Sequence, residues 1–175
     1  VIDELRACLT TGGRLDVASP ELSLFAFGEL REVLRRLSGT RLILPLVQAS
    51  GQSLLGTEAD RGFRNQLSAH KFARDLTEWL HKAVDVKAAP GPLPQAALVA
   101  KNADGTPTKV ISGNCPLTTD GLGITLANQF SLVQATETPE ESQPLAGWFN
   151  QMWNGLTSSA DGKAALLLQL EELTV

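Results

Sequence analysis

The chain has 175 residues, a formal net charge of −4, 43% hydrophobic and 19% charged residues, and 15 Gly with 9 Pro. That composition suits one globular domain and excludes disordered, collagen-like and disulfide-scaffold classes. The longest apolar stretch, Leu42 to Val47, is too short for a bilayer span or a signal-peptide core, so no membrane partner is expected.

A first helix is predicted from Ile2 to about Leu9, stopped by Gly12-Gly13. Arg14 to Ala18 alternates polar and apolar residues as a strand does, and Ser19-Pro20-Glu21 offers a cap, a first-turn proline and a dipole-matched acid. The helix they open should run to about Leu37 and bury Leu24, Phe27, Leu30, Val33, Leu34 and Leu37. Arg41 to Val47 reads as a buried strand, Ala49 to Gly62 as a loop and Phe63 to Ala83 as one long amphipathic helix. Val84 to Ala88 is the next expected strand, broken by Ala89-Pro90-Gly91-Pro92. Gln95 to Lys101 and Thr108 to Ser112 form an expected hairpin across Asp104-Gly105, and Gln129 to Ala135 a further strand. Thr138 and Glu141 make a capping box for a helix to about Asn154 that buries Leu145, Trp148, Phe149, Met152 and Trp153. A last helix spans about Gly162 to Leu173. The order implies an α/β layered single domain, residues 1–175, with a mixed β-sheet flanked by helices.

Cys8 and Cys115 form no metal-ligand or redox spacing, and both are expected to be reduced, as in a cytoplasmic protein. Residues 1–88 carry 12 Lys/Arg against 11 Asp/Glu, and residues 89–175 carry 3 against 8. Any phosphate contact must therefore come from a local patch. Arg61, Arg64, Lys71, Arg74 and Lys82 fall on or near the polar side of the long helix, where the reading of an ordinary solvated face outweighs that of a phosphate-facing stripe. His70 and His81 lie about 16 Å apart on that helix, too far for one ion or one proton relay. Trp79, Trp148 and Trp153 read as core residues. No nucleophile elbow, phosphate loop or dinucleotide fingerprint occurs, so no enzyme class, metal or cofactor is selected.

The sequence of segments resembles the phospholipase D-like domains attached to bacterial Swi/Snf-type helicases and to some restriction nucleases. The likeness is carried by Leu15-Asp16-Val17-Ala18-Ser19 before the Phe25-Ala26-Phe27 helix, by Gly113 to Leu122 with Thr118 and Gly121, by the Asn128 strand, and by Gly147-Trp148-Phe149-Asn150-Gln151-Met152-Trp153, similar to the family's closing Trp-Phe-x-x-x-Trp helix. In active members a His-x-Lys strand supplies a histidine nucleophile and a lysine that offsets transition-state charge. Here Gln95 and Ala97 stand at those positions, Pro116 replaces the asparagine of the next motif, and Phe130 replaces an acid. The resemblance therefore implies a non-catalytic accessory domain, a fragment of a larger helicase or DNA-defence protein, binding DNA or a partner protein. Gln95, Ala97, Asn114, Thr118 and Asn128 would form the degenerate pocket, Arg64, Lys71 and Arg74 would meet nucleic acid, and a homodimer would bring two pockets together. The alternatives are an active phosphodiesterase with a rearranged site, in which His70 or His81 is the nucleophile, and a structural dimerisation module.

Overall fold

The computed structural model describes residues 1–45, 54–56, 66–126, 128–156 and 159–174. In chain order the elements are α1 (Ile2–Cys8), β1 (Arg14–Ala18), α2 (Leu24–Arg35), β2 (Gly39–Leu44), α3 (Gln66–Ala83), β3 (Val84–Ala88), β4 (Ala96–Lys101), β5 (Pro107–Gly113), β6 (Val133–Ala135), α4 (Pro139–Gly155) and α5 (Ser159–Thr174). The strands form one sheet in the order β3-β2-β1-β4-β5-β6. β1, β2 and β3 are parallel, as helical crossovers through α2 and α3 require, and β4, β5 and β6 add antiparallel. The expected α/β class with a mixed sheet is the one observed.

The two faces of the sheet are covered unequally. On one face Leu5, Leu24, Phe27, Leu30, Leu76, Leu80, Leu166 and Leu170 from α1, α2, α3 and α5 pack on Leu15, Val17, Leu42, Val86 and Leu98. On the other, Ala146, Phe149 and Trp153 of α4 cover Ala18, Ile43, Val99 and Val110. β1 thus lies between two helical layers, and its alternation does not mean that one side faces water.

Several element ends differ from the sequence expectation for local reasons. α2 starts at Leu24, because the Ser23 side chain accepts from Phe25 N. Ser19, the expected cap, is fully buried; its Oγ donates to Glu21 O at 2.6 Å and accepts from Leu117 N at 3.0 Å, tying the β1 exit to the segment after β5. β2 stops at Leu44 before Pro45; Leu46, Val47, most of the Ala49 to Gly62 loop and Phe63 to Asn65 of the long helix lie outside the described residues. β6 is only three residues long, because Asn128 closes a turn, its Oδ1 accepting from Phe130 N and its carbonyl from Ser131 N. Thr138 caps α4 by accepting from Glu141 N, while the Glu141 carboxylate accepts from Glu137 N.

Gly113, at the end of β5, has φ +120°. A Cβ there would collide with the carbonyl oxygen of Leu132, so glycine is what lets β6 close onto β5.

The face under α4 holds a buried ion cluster. Asp16, 3% exposed, accepts from Arg41 Nε and Nη2 at 2.8 and 2.7 Å and from Lys101 Nζ at 2.6 Å. Arg41 also donates to Asn150 Oδ1 at 2.7 Å and lies over the rings of Phe149 and Trp153, at 5.1 and 5.3 Å. Lys87 on β3 donates to Trp153 O at 2.9 Å and Leu156 O at 3.5 Å. α4 has no basic residue in its last turn, so Lys87 supplies the cation that its C-terminal carbonyls favour. At the other end of the helix, Thr136 Oγ1 and Ser142 Oγ are 2.8 Å apart, and Thr136 Oγ1 accepts from Val110 N. Both ends of α4 are thereby pinned to the sheet.

Removing one member of a buried pair leaves an uncompensated charge and costs about 3–5 kcal/mol. Asp16→Ala, which leaves both Arg41 and Lys101 without their carboxylate, is expected to lose that much in urea unfolding. By contrast, Thr40 Oγ1 is buried with no hydrogen-bond partner among the described residues. Thr40→Val keeps the shape and removes the orphan hydroxyl, so the same assay is expected to show unchanged or higher stability.

Candidate functional site

β4 and β5 are joined by the tight connection Asn102–Thr106, in which Gly105 takes φ +88° and Thr106 N donates to Asp104 Oδ1 at 2.8 Å. Beside this turn the register shifts by one residue between Ala100 and Lys101, and beyond that shift Ala97 stands opposite Ser112 and Val99 opposite Val110. The row continues across the sheet as Ala18, Ala97, Ser112 and Gln134, small or neutral residues on four adjacent strands. Over this row, beside α4, opens a cavity of about 170 Å³ lined by Gln95, Ala97, Val110, Ser112, Leu145 and Trp148.

The cavity brings Gln95 and Ala97 together, and no ionisable side chain lines it. Its polar groups are the Gln95 amide and the Ser112 hydroxyl, which can donate and accept hydrogen bonds but cannot act as general acid or base near neutral pH. Of the other three residues of the expected pocket, Thr118 and Asn128 serve local turns and Asn114 bonds across to the segment before β6. Asn114 Nδ2 donates to Ser131 Oγ at 2.9 Å, an exposed contact. Thr118, almost fully buried, donates to Asp120 Oδ1 at 2.6 Å and accepts from Gly121 N at 3.1 Å. Asn128 holds the turn before β6.

Leu145 and Trp148, expected in the core, remain 39% and 38% exposed. The sheet-facing stripe of α4 is Ser142, Ala146, Phe149 and Trp153, and Leu145 and Trp148 each sit one residue, about 100°, off that line. They form the apolar rim of the cavity instead. Trp79 and Trp153 are buried as expected.

His70 and His81 both stand on α3, which packs on the face of the sheet away from α4. Neither reaches the cavity. Lys71 and Arg74 are exposed on α3, with the exposed carboxylate of Glu78 one turn beyond Arg74. Arg64 lies outside the described residues, as does Arg61. A second cleft, about 360 Å³, runs between α2 and α3, lined by Leu34, Trp79, Arg35, Lys82, Asp75 and Glu78 among others. Its two cations and two carboxylates balance, and Asp75 is already held by Arg31 at 3.0 Å, so it offers no charge preference. No cluster of metal-ligating residues and no helix long and apolar enough to cross a membrane occurs among the described residues.

Ser112 beside Ala97 was not legible from the Asp104-Gly105 turn, because the irregularity between Ala100 and Lys101 shifts by one residue the register that counting from the turn gives. The Asp16, Arg41 and Lys101 cluster carried a weak signal, a charged residue within or at the end of each of three mostly apolar strands. No protein-family model matches the chain, and comparison with curated proteins finds no match.

Both cysteines are free. Burial pushes the Cys115 thiol up to about 11 and raises Cys8 as well. The cause at Cys115 is loss of hydration around the charged form, which holds the thiol protonated in the folded chain. A group whose folded pKa is raised stabilises the fold below its unfolded value, and that contribution fades as pH climbs through the folded value. The urea midpoint is expected to fall between about pH 9 and about pH 11, with a shallower fall in Cys115→Ala. At about pH 8 a disulfide reagent should leave Cys115 unmodified until the chain is unfolded.

Proposed function

We propose that the chain is a non-catalytic, phospholipase D-like accessory domain that binds a partner polypeptide through the cavity beside α4. The observation that carries this reading is the pair Gln95 and Ala97, side by side with Ser112 in a cavity without an ionisable wall. In the family that the sequence resembles, those two positions hold the nucleophile and the charge-neutralising lysine. An amide and a methyl group cannot form a phosphoryl-enzyme or offset phosphorane charge. What remains suits recognition: two neutral hydrogen-bonding groups under the half-exposed rims of Leu145 and Trp148, an aromatic anchor of the kind that dominates protein interfaces.

A second reading, DNA binding, is favoured by Lys71 and Arg74, which are exposed on α3. It places nucleic acid on the opposite side of the sheet from the cavity. Contacts of this kind are made to phosphate, lack sequence preference and weaken with salt. The setting in which either partner would be met is a larger helicase or DNA-defence protein in the cytoplasm, with the helicase domains themselves as the first partner to test.

Fluorescence anisotropy with labelled duplex at low and physiological salt separates the two readings. Under the partner reading, duplex binding is weak or absent, and Lys71→Ala with Arg74→Ala changes nothing. Duplex binding that loses about one unit of salt slope per removed cation would favour DNA instead. Pull-down by the neighbouring helicase domains should be lost in Trp148→Ala and kept in Lys71→Ala. Incubation with a generic phosphodiester is expected to release no product. Release that disappears in His70→Ala or His81→Ala would overturn the non-catalytic reading.

A further inference from the structure

We propose that the free edge of β6 pairs with the same edge of a second copy of this chain, forming a two-fold dimer whose sheet runs through both copies. The proposal does not rest on the function given above; it uses the β6 edge, where Gln134 pairs with Ser112 of the cavity wall.

Among the described residues β6 is the last strand of the sheet. On its inner side Leu132 O accepts from Asn114 N and Thr136 N donates to Val110 O, each at 2.9 Å. Antiparallel strands alternate the direction of their amide and carbonyl groups residue by residue. The N–H and C=O groups of Val133 and Ala135 therefore point outward, away from β5. Such an edge is a template for another strand, and proteins usually guard it with charge, proline or a covering segment. Here no charged residue and no proline stands between Asp120 and Glu137. The same stretch exposes Leu126, Phe130 and Leu132, at 96%, 85% and 69%.

The self-complementary register of the edge points to a second copy as the occupant, and because residues 121–136 carry no charge, two copies meet along it without like-charge repulsion. A two-fold axis at Gln134 sets Val133 opposite Ala135 of the second copy and Ala135 opposite Val133 of the second copy. All four outward groups of each strand are then paired. Gln134 faces its own counterpart across the axis as a close, non-hydrogen-bonded pair. Glu137 falls opposite Ser131 of the second copy, so no like charges meet in this register. Leu132 falls opposite Thr136 of the second copy and loses much of its exposure.

Gln134 is exposed in the single chain, so its substitution tests the pairing without disturbing the core. Sedimentation velocity from micromolar to near-millimolar concentration is expected to show a monomer–dimer equilibrium for the wild type. Gln134→Lys and Gln134→Glu, each placing like charges across the axis, should each weaken it by about tenfold or more. An equimolar mixture of the two variants should recover the dimer. A wild type that stays monomeric throughout, or variants that dimerise as well as the wild type, would overturn the proposal. Hydrogen exchange gives an independent readout: the Val133 and Ala135 amides should be slowed at high concentration and fast at low concentration. Equal rates at both concentrations would count against it even if the variants failed to fold.

Discussion

The carboxylate of Asp16 lies at the centre of this structure. It is buried between the sheet and α4, and it holds both Arg41 from the neighbouring parallel strand and Lys101 from the neighbouring antiparallel one. A single anion thus joins the two halves of the mixed sheet at the point where strand direction reverses. Arg41 passes the constraint on, bonding Asn150 and lying beneath Phe149 and Trp153. The position of α4, and with it the placement of Leu145 and Trp148 above Gln95 and Ala97, follows from that chain of contacts.

An ionic lock of this kind is not the cheapest way to fill an interior, since apolar residues of similar volume often serve stability as well. Its merit is directional. The two-pronged contact of Arg41 with Asp16 fixes an angle as well as a distance, and Lys87 fixes the far end of the helix by its last carbonyls. α4 is the sole helix on its face among the described elements, so it has no neighbouring helix to hold it in register. Polar contacts at both ends and in the middle take over that task.

Much of the architecture was legible in the sequence, because hydrophobic spacing reports burial directly. The stripe on α2, the hairpin at Asp104-Gly105 and the Thr138 cap all stand where spacing put them. The misread positions share one cause, a long-range partner that local pattern does not contain. Ser19 had the appearance of a cap and is instead held by Leu117. Trp148 sat within an apolar run, and the crossing of α4 over the sheet turned it outward. Asp16 alternated with Leu15 and Val17 as a half-solvated strand would, yet its polar side meets a helix and two cations. At the candidate site, Gln95 lies just before β4, which starts at Ala96 and not at Gln95 as expected, and it still lines the same cavity as Ala97. That Thr118 and Asn128 spend their polar groups on turns, and Asn114 on Ser131, could not be read from residue type.

The contact between Gly113 and Leu132 gives the sheet an unusual dependence. Only a hydrogen atom fits between that α-carbon and the Leu132 carbonyl, so the sixth strand rests on the absence of one methyl group. Any side chain at this position forces the Leu132 carbonyl, and with it the start of β6, to shift away from β5. How closely the border strand is held is therefore set by the smallest residue in the chain.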